Sequence, residues 1–270
     1  GGDALNAHAW NNGLFVKTAD LRASAPINSR YTMSLASIDW DGVEPREVIR
    51  GSYHDGLNLY SYDGSSLSHK FTSYTGSTYG IGALSVGDFD NDGQEEVLVG
   101  DQRSWTPRLR LMEVGSSSFN TVWTNSDGIS RVKDLQSGDV NDDGWLDFLA
   151  VGDFGAWLYL NDQAGSFVLS WISPESTMMG SAALGDVNGD GLLDIVIPSD
   201  IQRFNIYLNQ GSSFLPLAHN NAGQGRAVAV MDFDNDGQDD VVFTQYEYSG
   251  VTSTGRNTCH TYVASLSCVE

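Results

Sequence analysis

The chain alternates short apolar segments with polar turns, in an order that repeats about every 48 residues. A segment of small residues comes first in each repeat, followed by an acidic loop and a continuous apolar segment rich in β-branched residues. A third segment alternates apolar and polar positions, and a Gly/Ser/Asp turn leads to a fourth. This pattern predicts four β-strands per repeat, and no segment has the 3.6-residue period of an amphipathic helix.

Four acidic loops, each nine residues long, separate the first and second strands of successive repeats. They span residues 88–96, 139–147, 186–194 and 232–240, and are named below by their first residue. Loop positions 1, 3, 5 and 9 carry side-chain oxygens, and position 6 is a glycine that allows a sharp turn. The side chains at these four positions are Asp88, Asp90, Asp92 and Glu96; Asp139, Asn141, Asp143 and Asp147; Asp186, Asn188, Asp190 and Asp194; and Asp232, Asp234, Asp236 and Asp240.

The spacing of these acids predicts a metal ion in each loop. Alternate residues of a tightly curved loop point inward together, and two carboxylates about 4 Å apart repel by roughly 4 kcal/mol at an effective dielectric near 20. Hard oxygen ligands suit Ca²⁺ better than Mg²⁺ or a softer metal, so we expect four calcium ions. A solvated acidic turn is the alternative for a single loop.

An EF-hand shares the first half of this pattern but needs a glutamate at position 12 and a following helix. Position 12 is apolar in all four loops and lies within a predicted strand. The residues there are Val99, Ala150, Ile197 and Phe243. The loops are therefore predicted to join two strands.

A degenerate fifth loop, residues 39–47, begins 49 residues before Asp88. It keeps Asp39, Asp41 and Glu47 at positions 1, 3 and 9, so a fifth calcium ion there is an open alternative. Five repeats of four strands predict an all-β, five-bladed β-propeller with antiparallel blades, in one domain spanning 1–270. Six or seven blades, or a β-solenoid, are the alternatives. The predicted blades are 31–80, 81–131, 132–179, 180–224, and 225–270 joined by pairing to 1–30.

Charge restricts the partners of the chain. Thirty-five acidic against 14 basic residues give a net charge of −21, which four Ca²⁺ would bring to about −13. Without a basic stripe, nucleic acid and anionic membrane surfaces are poor partners. No apolar stretch approaches the length of a membrane span.

Two cysteines, Cys259 and Cys268, lie near the carboxyl end. A disulfide between them would contribute roughly 2 to 3 kcal/mol, and two free thiols are the alternative. Together with calcium sites that fill at the millimolar Ca²⁺ found outside cells, they predict an extracellular or a periplasmic location.

Residues 87–100 and their counterparts resemble the FG-GAP/VCBS repeats of integrin α-subunit propellers, whose blades also occur in fungal lectins similar to the Psathyrella velutina lectin. The resemblance implies that the main-chain carbonyl at position 7 is a further calcium ligand. Position 7 is Gln94, Trp145, Leu192 or Gln238. It also implies a secreted module that binds carbohydrate, with an extracellular protein as the next ligand. The degenerate Asp39 loop and the five repeats, where integrin-type propellers have seven, depart from the family pattern.

Candidate ligand residues lie in the loops between second and third strands, on the face predicted to be opposite the calcium loops. They are Tyr53, His54, Asp55, Asp101, Arg103, Trp105, Asp153, Asp200, Arg203, Tyr246 and Tyr248. Aromatic rings beside hydrogen-bonding groups suit a saccharide. Asp101, Asp153 and Asp200 occupy matching places, where an aspartate that caps its own turn is the alternative.

No residue is assigned a catalytic role. The alternative function is a secreted polysaccharide lyase or hydrolase, whose acid or base would come from the tyrosines, His54 or Arg103 among these loop residues. Trp123 and Trp171, on fourth strands, are expected to pack between blades rather than to serve as binding platforms.

Overall fold

The computed structural model describes residues 6–11, 14–20, 32–53, 56–73, 80–102, 108–125, 129, 131–174, 180–198, 204–217, 224–246 and 257–258. These residues form β-strands and no helix, which confirms the all-β fold class. Accordingly, no helix in this part of the chain could cross a membrane. The chain consists of two compact units, residues 1–132 and 133–270.

Unit 1 contains three antiparallel sheets. The first pairs β1 (Asn6–Asn11) with β2 (Leu14–Asp20). The second is formed by β3 (Thr32–Ile38), β4 (Glu47–Ser52), β5 (Leu57–Tyr62) and β6 (Leu67–Ser73). The third is formed by β7 (Ile81–Gly87), β8 (Glu96–Asp101), β9 (Leu109–Val114) and β10 (Phe119–Asn125). In both four-stranded sheets, the strands lie side by side in chain order.

Unit 2 repeats this arrangement in three further antiparallel sheets. The first is formed by β11 (Asp134–Gly138), β12 (Asp147–Gly152), β13 (Gly155–Asn161) and β14 (Phe167–Ile172). The second is formed by β15 (Ala183–Gly185), β16 (Asp194–Pro198), β17 (Phe204–Asn209) and β18 (Phe214–Leu217). The third joins β19 (Gln224–Met231), β20 (Asp240–Tyr246) and β21 (Asn257–Thr258).

The burial of each strand explains its sequence pattern. Every residue of β8, β12 and β16 is buried, so these second strands read as continuous apolar segments. The fourth strand β14 is largely exposed after its buried Phe167. The four-stranded sheets therefore bury their second and third strands most deeply.

Neighbouring sheets within a unit pack face to face. In unit 1, Ile49 and Leu59 of one sheet share a buried cluster with Val97 and Met112 of the next. In unit 2, Leu158 packs in the same way in a cluster with Ile195 and Tyr207 of the following sheet. Burying each such side chain contributes about 1.5 to 3 kcal/mol, which makes the faces between sheets the main apolar core.

Hydrogen bonds also link consecutive first strands or the residues just before them. The Ala182 amide donates to Asp134 at 3.0 Å, and the Val228 amide donates to the Ser181 hydroxyl at 3.2 Å. In unit 1, the Ser34 hydroxyl donates to the Ile81 carbonyl at 3.5 Å. These contacts join residues 47 or 48 positions apart, which is one repeat length.

The four complete sheets lie within the predicted blades 31–80, 81–131, 132–179 and 180–224. The single domain, and the blade shared between residues 1–30 and 225–270, stay predictions. Cys259 and Cys268 lie outside the described residues.

Candidate metal loops and ligand grooves

The acidic loops share one hydrogen-bond pattern. In the Asp88 loop, the Asp88 carboxylate accepts the amides of Asp92 at 3.1 Å and Gly93 at 2.9 Å. The Asp92 carboxylate in turn accepts the Gln94 amide at 2.8 Å. The same bonds, from positions 5 and 6 to position 1 and from position 7 to position 5, recur in the other three loops. The side chains at positions 1 and 5 are thereby turned toward the inside of each loop.

The position 9 acid anchors each loop to the start of the second strand. Glu96 is 3% exposed, and its carboxylate accepts the Phe89 amide of position 2 at 2.8 Å. The other three acidic loops repeat this bond at 3.0 or 3.1 Å. In the degenerate Asp39 loop, Glu47 accepts the Trp40 amide at 3.1 Å. All five loops thus place a buried carboxylate below the exposed acids.

Two residues in each acidic loop adopt left-handed backbone conformations. The position 6 glycines have φ between 84° and 91°, as their sequence position indicates. Position 4 is also left-handed, with φ of 58° at Asn91 and Asp142, 61° at Asn235 and 75° at Gly189. A left-handed position 4 was not predicted, although Asn, Asp and Gly are the residues that most readily adopt this conformation.

Carboxylates converge closely in three loops. Three acids bring oxygen atoms within 4.8 Å of one another in the Asp39, Asp88 and Asp232 loops. The members of each group occupy positions 1, 3 and 9. The Asp139 and Asp186 loops have asparagine at position 3, and the amide of each asparagine donates to the position 5 aspartate at 3.0 Å.

Electrostatics favour a cation in these loops. Burial, together with the nearby Asp90, Asp88 and Asp92 carboxylates, raises the pKa of Glu96 to about 7. Burial likewise raises the pKa of Asp147 and of Asp194 to about 6. A buried acid among other acids is costly to ionise, and a bound cation would remove that cost. The donor set, made of carboxylate and amide oxygens, fits a hard divalent cation.

The candidate ligand residues of the opposite face are only partly described. Asp101 is 2% exposed and forms an ion pair with Arg110 of the adjacent strand at 2.8 Å. Asp153 forms an ion pair with Lys133 at 2.9 Å. Tyr53 is half-buried, and its carbonyl accepts the Gly80 amide at 2.9 Å. Both carboxylates are therefore held within their own sheets, and a ligand role for these residues stays a prediction.

The remaining candidates on that face lie outside the described residues, apart from the backbone of Tyr246 at the end of β20. The residues outside are His54, Asp55, Arg103, Trp105, Asp200, Arg203 and Tyr248.

A groove of about 500 Å³ runs between the first two sheets of unit 2. Trp171 and Phe214 form part of its apolar wall, with ring centroids 5.3 Å apart. Asn141 and Ser213 contribute polar groups to its lining. Trp171 also meets Tyr207 edge to face at 5.0 Å, which confirms its expected packing between sheets. Because the groove forms only where two repeats meet, the order of residues along the chain does not reveal it.

Asn209 shapes one side of this groove. Its side-chain amide donates to the carbonyls of Val140 at 2.8 Å and Leu193 at 3.1 Å. Its side-chain oxygen accepts the Gly211 amide at 2.9 Å. The turn between β17 and β18 is therefore held against the Asp139 loop of the neighbouring sheet.

A smaller groove of about 310 Å³ occupies the related place in unit 1. Asp39, Asp92, Glu95 and Glu113 line it beside Trp40. The Trp40 indole donates to the carbonyl of Gly115 at 3.2 Å. Its acidic lining distinguishes this groove from the aromatic and neutral groove of unit 2.

Residues 139–197 and 186–243 match the family model for the FG-GAP-like repeat. Residues 139–243 therefore carry FG-GAP-like repeats. These matches contain the Asp139, Asp186 and Asp232 loops. The Asp88 loop lies outside the matched residues but has the hydrogen-bond pattern of these FG-GAP-like repeats. A comparison with curated proteins finds no match.

Among solved structures, the chain is similar to an Agrocybe aegerita lectin whose structure describes specific recognition of non-reducing terminal N-acetylglucosamine. The TM-score is 0.54 at 15% sequence identity, over 84% of this chain. The chain spans 66% of the length of the lectin chain. At this identity the likeness shows the fold, and it confirms a propeller-like arrangement of four-stranded sheets.

Proposed function

We propose that the chain is a secreted, calcium-stabilised module that binds the terminal sugar of a glycan in the groove beside Trp171. The lining and the volume of this groove are the observations that support the proposal. The apolar faces of Trp171 and Phe214 suit the carbon face of a sugar ring, and the amides and hydroxyls of the groove suit its hydroxyl groups. Its volume of about 500 Å³ falls in the usual range of small-molecule sites.

The similar lectin supports the class of ligand. Its structure concerns non-reducing terminal N-acetylglucosamine, so an N-acetylated terminal sugar is the first ligand to test. The neutral lining of the unit 2 groove suits such an uncharged sugar better than the acidic groove of unit 1 does.

Calcium is proposed to have a structural role. Four ions would be held by the side chains at positions 1, 3, 5 and 9 and the carbonyl at position 7, and a fifth by Asp39, Asp41 and Glu47. The convergence of carboxylates within 4.8 Å supports this assignment in the Asp39, Asp88 and Asp232 loops, and the shared hydrogen-bond pattern supports it in the Asp139 and Asp186 loops. Sites of this kind fill at extracellular calcium concentrations, which supports secretion.

The groove lies at the same edge of the sheets as the acidic loops. Asn141 is position 3 of the Asp139 loop and also lines the groove. An ion in that loop would therefore fix one wall of the sugar site. We expect sugar binding to weaken on chelation, although the ion need not contact the sugar.

The test is a glycan array in millimolar calcium, followed by titration of the best ligand. Ser213→Tyr would fill the groove from an exposed position, so we expect at least a roughly tenfold loss of affinity with little change in melting temperature. The matched control is Ser118→Tyr. Ser118 occupies the corresponding turn of unit 1, where its carbonyl accepts the Gly115 amide as that of Ser213 accepts the Gln210 amide.

The possible outcomes distinguish between the candidate sugar sites and between the candidate functions. Unchanged affinity in Ser213→Tyr would place the sugar elsewhere, with the predicted opposite face as the next site to test. New reducing or unsaturated ends would favour the polysaccharide lyase or hydrolase. An array without any bound glycan would reject the lectin proposal and direct the search to an extracellular protein ligand.

A further inference from the structure

We infer that Asp239 couples the ion sites of the Asp186 and Asp232 loops, so that filling one loop raises the calcium affinity of the other. Asp239 occupies position 8 of its loop, which was not among the predicted ligand positions. This inference rests on the proposed calcium binding and concerns how two of the sites communicate.

Reciprocal hydrogen bonds join the two loops. The Asp186 amide donates to the Asp239 carboxylate at 2.9 Å. The Asp239 amide donates to the Asp186 carbonyl, also at 2.9 Å. Asp239 therefore forms hydrogen bonds with both the amide and the carbonyl of Asp186, the residue at position 1 of the neighbouring loop.

Close packing leaves this contact little freedom. A Cβ atom on Gly185 would lie 2.7 Å from the Asp239 carboxylate and 2.3 Å from the Val230 side chain. A Cβ atom on Gly189 would lie 2.9 Å from the Gln238 side chain. Residues 238 and 239 thus rest directly on the backbone of Gly185 and Gly189, where an added Cβ would force a neighbouring side chain to shift.

Asp186 organises its own loop. Its carboxylate accepts the amides of Gly189 at 2.7 Å, Asp190 at 3.0 Å and Gly191 at 2.8 Å. A shift of the Asp186 backbone would therefore disturb several bonds that orient the proposed ligands. Holding this residue in place preorganises the ion site.

Asp239 is equally constrained by the loop to which it belongs. Its neighbours Gln238 and Asp240 supply the position 7 carbonyl and the position 9 carboxylate, so an ion in the Asp232 loop would fix residues on both sides of Asp239. The fixed position of Asp239 would in turn fix Asp186 through the reciprocal hydrogen bonds. By thermodynamic linkage, an ion at the Asp186 loop would raise the affinity of the Asp232 loop by the same factor.

The chain contains both a related contact, with one of the two bonds, and an internal contrast. In unit 1, Glu95 at position 8 accepts the Asp39 amide at 2.8 Å and pairs with Arg46. Between the Asp139 and Asp186 loops, position 8 is Leu193, whose methyl group lies 2.7 Å from where a Cβ of Gly138 would be. Position 8 therefore accommodates leucine in the Asp186 loop.

The test measures calcium affinity at each loop separately. The amides of Gly191 and Gly237 donate to the position 1 carboxylates of their own loops, so their NMR signals report the two sites during a calcium titration. Asp236→Ala removes a proposed ligand at an exposed position of the Asp232 loop. We expect it to weaken binding at the Asp186 loop roughly fivefold, within the range common for coupled sites.

Asp239→Leu is the second substitution of a double-mutant cycle with Asp236→Ala. In this background, Asp236→Ala should cause no further loss of affinity at the Asp186 loop. The control is Asp142→Asn, which removes one charge at position 4 of the Asp139 loop, where Asn91 and Asn235 occur in sister loops. It should leave the coupling unchanged.

The outcomes distinguish this inference from the proposed function. Unchanged affinity at the Asp186 loop in the Asp236→Ala single variant overturns the coupling while calcium binding stands, and this result does not depend on whether Asp239→Leu folds. Glycine amides that do not respond to calcium overturn the proposed metal sites and the coupling with them.

Discussion

At the scale of single residues, the buried acid at position 9 sets the electrostatics of the Asp88, Asp139 and Asp186 loops. Glu96, Asp147 and Asp194 are almost fully buried and accept amide hydrogen bonds, but their pKa values are raised because burial disfavours the charged form. The folded chain without metal therefore binds protons more tightly at these acids than the unfolded chain does.

These raised pKa values predict an unusual pH dependence of stability when a chelator removes calcium. A raised folded-state pKa means that stability is greatest while the acid is protonated and falls as pH rises through the folded value. We expect the melting temperature in EDTA to fall between pH 5 and pH 7, because Glu96, Asp147 and Asp194 ionise there with pKa values of about 7, 6 and 6.

Millimolar calcium provides the control for that experiment. Because the ion binds the ionised acids, the stabilisation by calcium should grow as pH rises across the same range. Asp63, whose pKa is held below its usual range by hydrogen bonds from Ser66 and Ser65, has finished titrating by pH 5 and does not interfere. A melting temperature in EDTA that rises from pH 5 to pH 7 would contradict the prediction.

The left-handed residue at position 4 gives a second test at this scale. Asn235→Ala should lower the free energy of unfolding by about 1 kcal/mol, because a left-handed backbone is costly for a residue with an ordinary Cβ. Asn235→Gly is the control and should change stability little, since Gly189 occupies the same position in a sister loop. Urea unfolding in calcium measures both, and equal stability of the two variants would show that the backbone conformation carries no cost.

At the scale of strands, buried polar groups tie neighbouring strands together. Asp101 at the end of β8 and Arg110 in β9 are both buried and form an ion pair at 2.8 Å. Such a pair adds little net stability, but the removal of one partner leaves an uncompensated charge in the interior.

We therefore expect Asp101→Ala to lower the free energy of unfolding by about 3 to 5 kcal/mol. The combined Asp101→Leu and Arg110→Met variant should be considerably more stable than the single variant, because it leaves no isolated charge. Urea unfolding measures the difference. An Asp101→Ala protein with native stability and lost ligand binding would instead support the predicted ligand role of Asp101.

The strand pattern could be predicted because it depends on neighbours in sequence. Continuous apolar segments such as Val97–Val99 became buried second strands, and the Asp/Gly spacing indicated the loops. Trp171 was expected to pack between blades and does so. Its second role, lining a groove with Phe214 of the next repeat, depends on a contact between residues 43 positions apart.

At the scale of the whole molecule, calcium should determine stability. Ligands that bind only the folded state stabilise it by mass action, by about 2.7 kcal/mol for each site at a free concentration 100 times its dissociation constant. Chelation with EDTA should therefore lower the melting temperature sharply.

Asp92→Ala serves as the single-site comparison. It should remove one ion and lower the melting temperature by a smaller amount than chelation does. Calorimetric titration supplies the number of ions, and differential scanning calorimetry supplies the melting temperature. An unchanged melting curve in EDTA would reject the calcium proposal for all loops together.

The amino-acid sequence alone determined the repeat, the four strands of each repeat and the acids of each loop, because these features follow from periodicity and from spacing within a few residues. Only the tertiary structure decided which side chains meet between repeats. The Asp239 contact with Asp186, the Asp101 pair with Arg110 and the groove beside Trp171 arise from the stacking or pairing of particular strands. Stacking is driven by apolar burial that is nearly independent of direction, so the exact polar partners depend on three-dimensional positions that no local pattern encodes.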